Sequence, residues 1–136
     1  MMQSDSCGKL MKLISDEMRK NANNAMRSQD MTMSQFGALL ELNQAPEKQR
    51  SLKELEQSLH VAQSTVAGII SRLEQKGFVE AFGDAADRRI KLVRITPAGC
   101  ECVVNAEKDM AQAEQKLLSG LPETEREIFY ELLQKV

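Results

Sequence analysis

Apolar residues recur at helical spacing in six stretches of this chain, interrupted by a pair of short strand-like runs. From Cys7 onward, Leu10, Met11, Ile14, Met18, Ala22, Ala25 and Met26 hold one face, with Lys12, Ser15, Arg19 and Asn23 opposite. Asn21, Asn23 and Asn24 are weak helix formers, so packing must hold the second half of this helix. Met1 to about Ser6 is expected to fray, and Ser28-Gln29-Asp30 breaks the helix. Thr32-Met33-Ser34-Gln35 reads as a capping box opening a second helix, with Phe36, Leu39, Leu40 and Leu42 as its buried stripe. Asn43-Gln44-Ala45-Pro46 stops it, because proline bars continuation. Glu47 to Arg50 then reads as a polar loop.

Ser51 with Glu54 forms a second capping box, and Leu52, Leu55 and Leu59 follow at helical spacing. His60-Val61-Ala62 leaves room only for a turn. The next stripe is Val66, Ile69, Ile70 and Leu73. Its opposite face, from Gln63 on, carries Ser64, Thr65, Gly68, Ser71, Arg72 and Gln75, with no acid among them. A helix that lies in a DNA groove needs such a face. Gly77 ends the helix. Phe78 to Phe82 reads as a strand, Gly83 to Asp87 as a loop, and Arg88 to Ile95 as a returning strand. The pattern predicts a mainly α chain with a two-stranded β wing, a winged helix-turn-helix. Ala62 is an unusual helix cap, and Gly68 costs ~1 kcal/mol against alanine in mid-helix.

After the wing, Thr96 is placed to cap and Pro97 to start a long helix. Its stripe is Val103, Ala106, Met110, Ala113 and Leu117, a heptad-like seam. Ser119-Gly120 ends it, and Ile128, Phe129, Leu132 and Leu133 stripe the last helix. One 136-residue domain is expected, with a winged core over about 32–96 and further helices over about 7–29 and 97–136. Those terminal helices exceed what a winged core needs. Their faces could close an intramolecular bundle. The preferred reading is a homodimer joined through Leu10, Ile14, Val103, Ala106, Met110, Ala113, Leu117, Ile128, Phe129 and Leu132.

Charge changes the picture only locally. Lys and Arg number 18 against 20 Asp and Glu, so no bulk basic bias favours nucleic acid. Arg72, Lys76, Arg88, Arg89, Lys91 and Arg94 nevertheless fall in the helix and wing. The acids gather toward the C-terminal end, from Glu101 to Glu131, which would orient the chain on a duplex. Asp5, Lys9 and Lys12 interrupt any early apolar run, no stretch approaches membrane-spanning length, and the three cysteines follow no disulfide framework. A cytoplasmic protein with reduced thiols and no membrane contact is the expectation. One histidine and three separated cysteines give no metal site, and no nucleophile–base pair or phosphate loop suggests an enzyme or a cofactor. His60 is read as a helix-dipole or packing residue.

Ser64-Thr65-Val66, Arg72-Leu73-Glu74 and Gly77-Phe78-Val79 resemble the recognition helix of the MarR family of bacterial regulators. Asp87-Arg88-Arg89, followed by Val93-Arg94-Ile95-Thr96-Pro97-Ala98-Gly99, resembles that family's wing signature. Met31 to Phe36, with Leu39 and Leu42, resembles the start of its second helix. The resemblance spans nearly the whole chain. It implies a homodimeric, sequence-specific repressor on a pseudo-palindromic operator in double-stranded DNA. It assigns Arg89 to the minor groove with Asp87 bracing the wing. Arg88 lies outside the signature and is left to a phosphate. Arg88, Arg89 and Lys91 also read as an ordinary charged edge that prevents strand aggregation. It also implies release by a small aromatic or weak-acid effector, or by oxidation. Met11, Met18, Met26, Met31 and Met33 lie where relatives form a ligand pocket, although core packing explains methionines equally well. Cys7 is the candidate redox thiol, since some relatives sense peroxide through a first-helix cysteine. Cys100 and Cys102, two apart on a helix, should not bridge each other. The rival reading is a winged-helix module that binds protein and never touches DNA.

Overall fold

In a computed structural model, residues 6–136 are described, and the expected frayed start at 1–5 lies outside them. The order is α1 (Cys7–Ser28), α2 (Met33–Gln44), a 3-10 turn (Pro46–Lys48), β1 (Gln49–Ser51), α3 (Leu52–Leu59), α4 (Gln63–Gln75), β2 (Val79–Gly83), β3 (Lys91–Ile95), α5 (Pro97–Leu117) and α6 (Glu123–Gln134). Both capping boxes form. Thr32 Oγ1 accepts from Gln35 N–H and Gln35 Oε1 from Thr32 N–H, and Ser51 and Glu54 reciprocate in the same way. Thr96 caps α5, with Pro97 in its first turn. Ser6, expected to fray, instead caps α1, its Oγ accepting from Lys9 N–H at 3.1 Å.

The sheet has three strands in the order β1-β3-β2, all antiparallel. The expected two-stranded wing therefore gains β1, from residues read as polar loop and, at Ser51, as a helix cap. Gln49, Arg50 and Ser51 pair with Arg94, Val93 and Leu92. Their polarity hid them, because β1 has no buried side chain and so no apolar alternation. The returning strand is also shorter than expected. It begins at Lys91, so Arg88 and Arg89 belong to the turn rather than to a strand.

One core joins the winged region to the helices at both ends. Met26 of α1, Leu39 and Leu42 of α2, Leu55 of α3, Val66 and Leu73 of α4, Val79 and Val93 of the sheet and Val103 of α5 are fully buried together. Gly99 sits where α5 crosses the sheet, and a Cβ there would overlap the Phe78 carbonyl and the Ile95 side chain. This close approach fixes α5 against the wing.

The expected dimer seam divides. Val103 and Ala106 are wholly inside this chain's own core and unavailable to a second chain, which corrects their assignment as interface residues. Met110, Ala113 and Leu117 remain half-buried. Leu10, Leu13, Ile14 and Met18 of α1 and Ile128, Leu132 and Leu133 of α6 are exposed. No residue of α6 is buried, so an intramolecular bundle does not account for these faces.

Candidate nucleic-acid interface

α3 and α4 are joined by a turn at His60, which adopts the left-handed conformation at φ +55°. His60 is exposed, so it shapes the turn and does not pack in the core. Buried Val66, Ile70 and Leu73 anchor one side of α4. That leaves Gln63, Ser64, Thr65, Gly68, Ser71, Arg72 and Gln75 all exposed on one continuous polar surface. Nothing lies within 4 Å of a Cβ built on Gly68, so this stretch of backbone faces open space. Ala62 supplies no side-chain cap, and among the described residues nothing accepts from the N–H groups of Gln63 and Ser64. Two unsatisfied N–H groups at a helix start make a favourable place for a phosphate oxygen.

The far end of α4 closes on Gly77, φ +77°, with Phe78 N–H donating to the Leu73 carbonyl at 3.0 Å. Glu74, the acid on α4, accepts from Ala81 N–H at 3.3 Å and so faces the wing. Lys76, grouped by sequence with the DNA-facing cations, turns away from this surface. Its ammonium donates to the Asp30 carbonyl and to Gln35 Oε1. Arg94 is exposed but has partners within the chain. It donates to Gln49 Oε1 at 3.2 and 2.9 Å and lies over the Phe82 ring, 4.7 Å from its centre. Both cations were indistinguishable from the others by spacing, because only tertiary contacts recruit them.

The wing tip is a chain of local hydrogen bonds. Asp84 N–H donates to the Ile90 carbonyl at 2.9 Å, and Ile90 N–H to the Asp87 carbonyl at 3.0 Å. Asp87 accepts from Arg89 three times: its Oδ1 from the backbone N–H and Nε, and its Oδ2 from Nη2. These bonds, with the side-chain pair foremost, hold the Asp87 carboxyl below its usual range. The same pairing raises Arg89 above its ordinary value. The Arg89 side chain is 91% exposed, against 35% for Asp87. Its free Nη1 edge is thus presented outward by a carboxylate rather than by a strand. Arg88 and Lys91 beside it are exposed.

The residues expected to bind DNA are thus exposed on α4 and at the wing tip, with Asp87 half-buried, while the thiols and methionines are scattered. Cys7 is exposed at the start of α1, Cys100 is half-buried and Cys102 is buried. Burial raises the Cys102 thiol, partly offset by the Lys76 charge. Met26 and Met31 are core residues, and Met11, Met18 and Met33 are exposed. Only Met18 borders the cleft of about 370 Å³ between α1 and α5, with Asn21, Ala22, Glu107, Met110 and Leu117. Among the described residues, no helix is long and apolar enough to cross a membrane, and no cluster of His, Cys, Asp or Glu could hold a metal ion.

The MarR family's sequence profile matches residues 29–90, from the turn before α2 to the wing tip. MepR, a transcription regulator of the Staphylococcus aureus multidrug efflux pump MepA, superposes with a TM-score of 0.86 at 26% identity, over 96% of each chain. This chain is similar to MarR-family regulators in sequence over its winged region and in fold over nearly its whole length. A MepR point mutant bound to an oligodeoxyribonucleotide superposes on this chain with a TM-score of 0.81 at 27% identity, covering 97% of this chain and 96% of that one. YwaE of Bacillus subtilis, an uncharacterized HTH-type transcriptional regulator, is 30% identical over 76 residues, 56% of this chain and 44% of YwaE. The chain spans about half the length of the curated relatives it matches.

Proposed function

We propose that this chain is a DNA-binding transcription regulator of the MarR family. It acts as a homodimer, represses from a pseudo-palindromic operator and is released by a small-molecule or oxidative signal. The observation that carries the reading is the shared exposure of the acid-free face of α4 and the Arg89 guanidinium presented by Asp87. α4 enters the major groove, and Ser64, Thr65, Ser71 and Gln75 reach base edges or phosphates, with Arg72 on phosphate. Arg89 enters the adjacent minor groove, where a narrow groove concentrates negative potential. Arg88 and Lys91 contact phosphates.

The dimer reading draws on the exposed stripes of α1 and α6. Leu10 and Ile14 of one copy meet Ile128, Phe129 and Leu132 of the other, with Met110, Ala113 and Leu117 at the edge. For the signal, the cleft between α1 and α5 adjoins this interface. Its Glu107 and Glu114 carboxylates disfavour a weak-acid anion and favour a neutral or cationic aromatic ligand. Cys7, exposed at the start of α1, is the redox candidate. A regulator of this kind works in the cytoplasm and is not an enzyme.

Gel shifts with fragments of the gene's own promoter region, at two salt concentrations, test the DNA reading. Binding that weakens steeply with salt supports it. No shift at low salt supports a protein-binding winged helix instead. Peroxide that releases DNA from the parent but not from Cys7→Ser supports the oxidative signal, and equal responses exclude Cys7.

A further inference from the structure

We propose that Lys76 is a positioning residue: its ammonium locks the C-terminal end of α4 to the turn that ends α1, and so fixes the half-site spacing the dimer reads. This rests on the DNA-binding reading above.

α4 is held laterally by Val66, Ile70 and Leu73, but apolar contacts are non-directional and tolerate small slides. Lys76 adds direction at the one end of the helix where the chain leaves it. The residue caps α4, immediately before Gly77. Its ammonium donates to the Asp30 carbonyl and to Gln35 Oε1 at 3.2 Å, with the Asp30 carboxylate 3.9 Å away. Both acceptors are themselves fixed. Asp30 sits in the left-handed region at φ +54°, held by its N–H on the Arg27 carbonyl and by Met31 N–H on the Met26 carbonyl. Gln35 is buried, and its Oε1 also accepts from Thr32 N–H in the capping box of α2. One ammonium therefore joins the turn that follows α1, the first turn of α2 and the end of α4.

α1 is also the helix whose exposed Leu10, Ile14 and Met18 face the proposed partner. The route from the dimer interface to the reading helix thus runs along α1, through Asp30, to Lys76. One base pair of spacing moves a half-site by about 3.4 Å and turns it by about 35° around the duplex. A lock that holds α4 to a fraction of that distance makes the dimer discriminate spacing.

The test uses a duplex selected by the full-length parent from a random-sequence pool, with variants carrying one base pair inserted or deleted between the half-sites. Binding is read by fluorescence anisotropy at two salt concentrations. Lys76→Met is expected to remain dimeric and to bind the selected duplex about tenfold more weakly, the scale of one charge-assisted hydrogen bond. Its preference for the selected spacing should shrink, while its salt slope stays that of the parent. Gln35→Met removes one of the two acceptors without removing the cation, and should blunt spacing preference in the same direction. Adding it to Lys76→Met should cost little more. If Lys76→Met does not fold, the Gln35→Met spacing series decides. A salt slope shallower by about 0.9 per half-site in Lys76→Met would make Lys76 a phosphate contact and overturn the lock. So would unchanged affinity and spacing preference in a variant of a parent that does bind. A parent that selects no duplex overturns the DNA reading itself.

Discussion

Arg89 holds Asp87 by two parallel hydrogen bonds, Nε to Oδ1 at 3.0 Å and Nη2 to Oδ2 at 3.0 Å. The fork uses one edge of the guanidinium and leaves the other outward. Arg89→Ala is expected to cost about 1–3 kcal/mol of DNA affinity per half-site, with an unchanged thermal melt, because the tip is exposed. Asp87→Ala should weaken binding by releasing the arm, and the double variant should cost less than the two singles together. The sign of the pH effect follows from the depressed Asp87 carboxyl. The pair is complete above the ordinary carboxylate range and is lost only as pH falls through the depressed value. The effect of Arg89→Ala should therefore be constant across neutral and mildly acidic pH. Titration of both proteins by anisotropy checks this.

Gly68 separates stability from function. A Cβ there meets nothing within 4 Å, so Gly68→Ala should stabilise the free protein by about 0.4–1 kcal/mol. If the α4 backbone approaches DNA at this point, the same methyl group should weaken binding. A variant that melts higher and binds equally well would place Gly68 away from the duplex.

Gly99 should behave in the opposite way. Its missing side chain lets α5 rest on the Phe78 carbonyl, so Gly99→Ala must push α5 away from the sheet. A loss of about 1–3 kcal/mol in chemical denaturation is expected, as for other overpacked sites.

The dimer account distinguishes two kinds of apolar position. Leu132 is 53% exposed in the single chain, whereas Val103 is fully buried. Leu132→Asp should give a folded monomer by sedimentation, with circular dichroism close to that of the parent. Val103→Asp should give unfolded protein, since it places an unpaired charge inside the core. A parent that sediments as a monomer at micromolar concentration would contradict the dimer.

These contrasts show where the sequence was readable. Elements with an apolar period or a capping box announced themselves: Thr32 with Gln35, Ser51 with Glu54, and the stripe of α4 all stand where expected. β1 did not, because Gln49, Arg50 and Ser51 owe their strand to pairing with β3 rather than to any pattern of their own. The interface residues on α4 were legible as the complement of its buried stripe. The roles of Lys76 and Arg94 were not, since Asp30 lies 46 residues from one and Gln49 lies 45 from the other. Val103 and Ala106 were misassigned for a related reason. A heptad seam says that a helix face is buried, and does not say whether the burying partner is the same chain.

The most direct test of the central claim is the salt dependence of binding to a selected duplex by the parent protein. Arg72, Arg88, Arg89 and Lys91, doubled in a dimer, together with the open N–H groups at the start of α4, should displace several counterions. The logarithm of affinity should then fall linearly with the logarithm of salt, by about 0.9 for each phosphate neutralised. A steep line that becomes shallower in Arg89→Ala is the predicted result. No binding at low salt, or affinity indifferent to salt, would contradict the assignment of this surface to DNA.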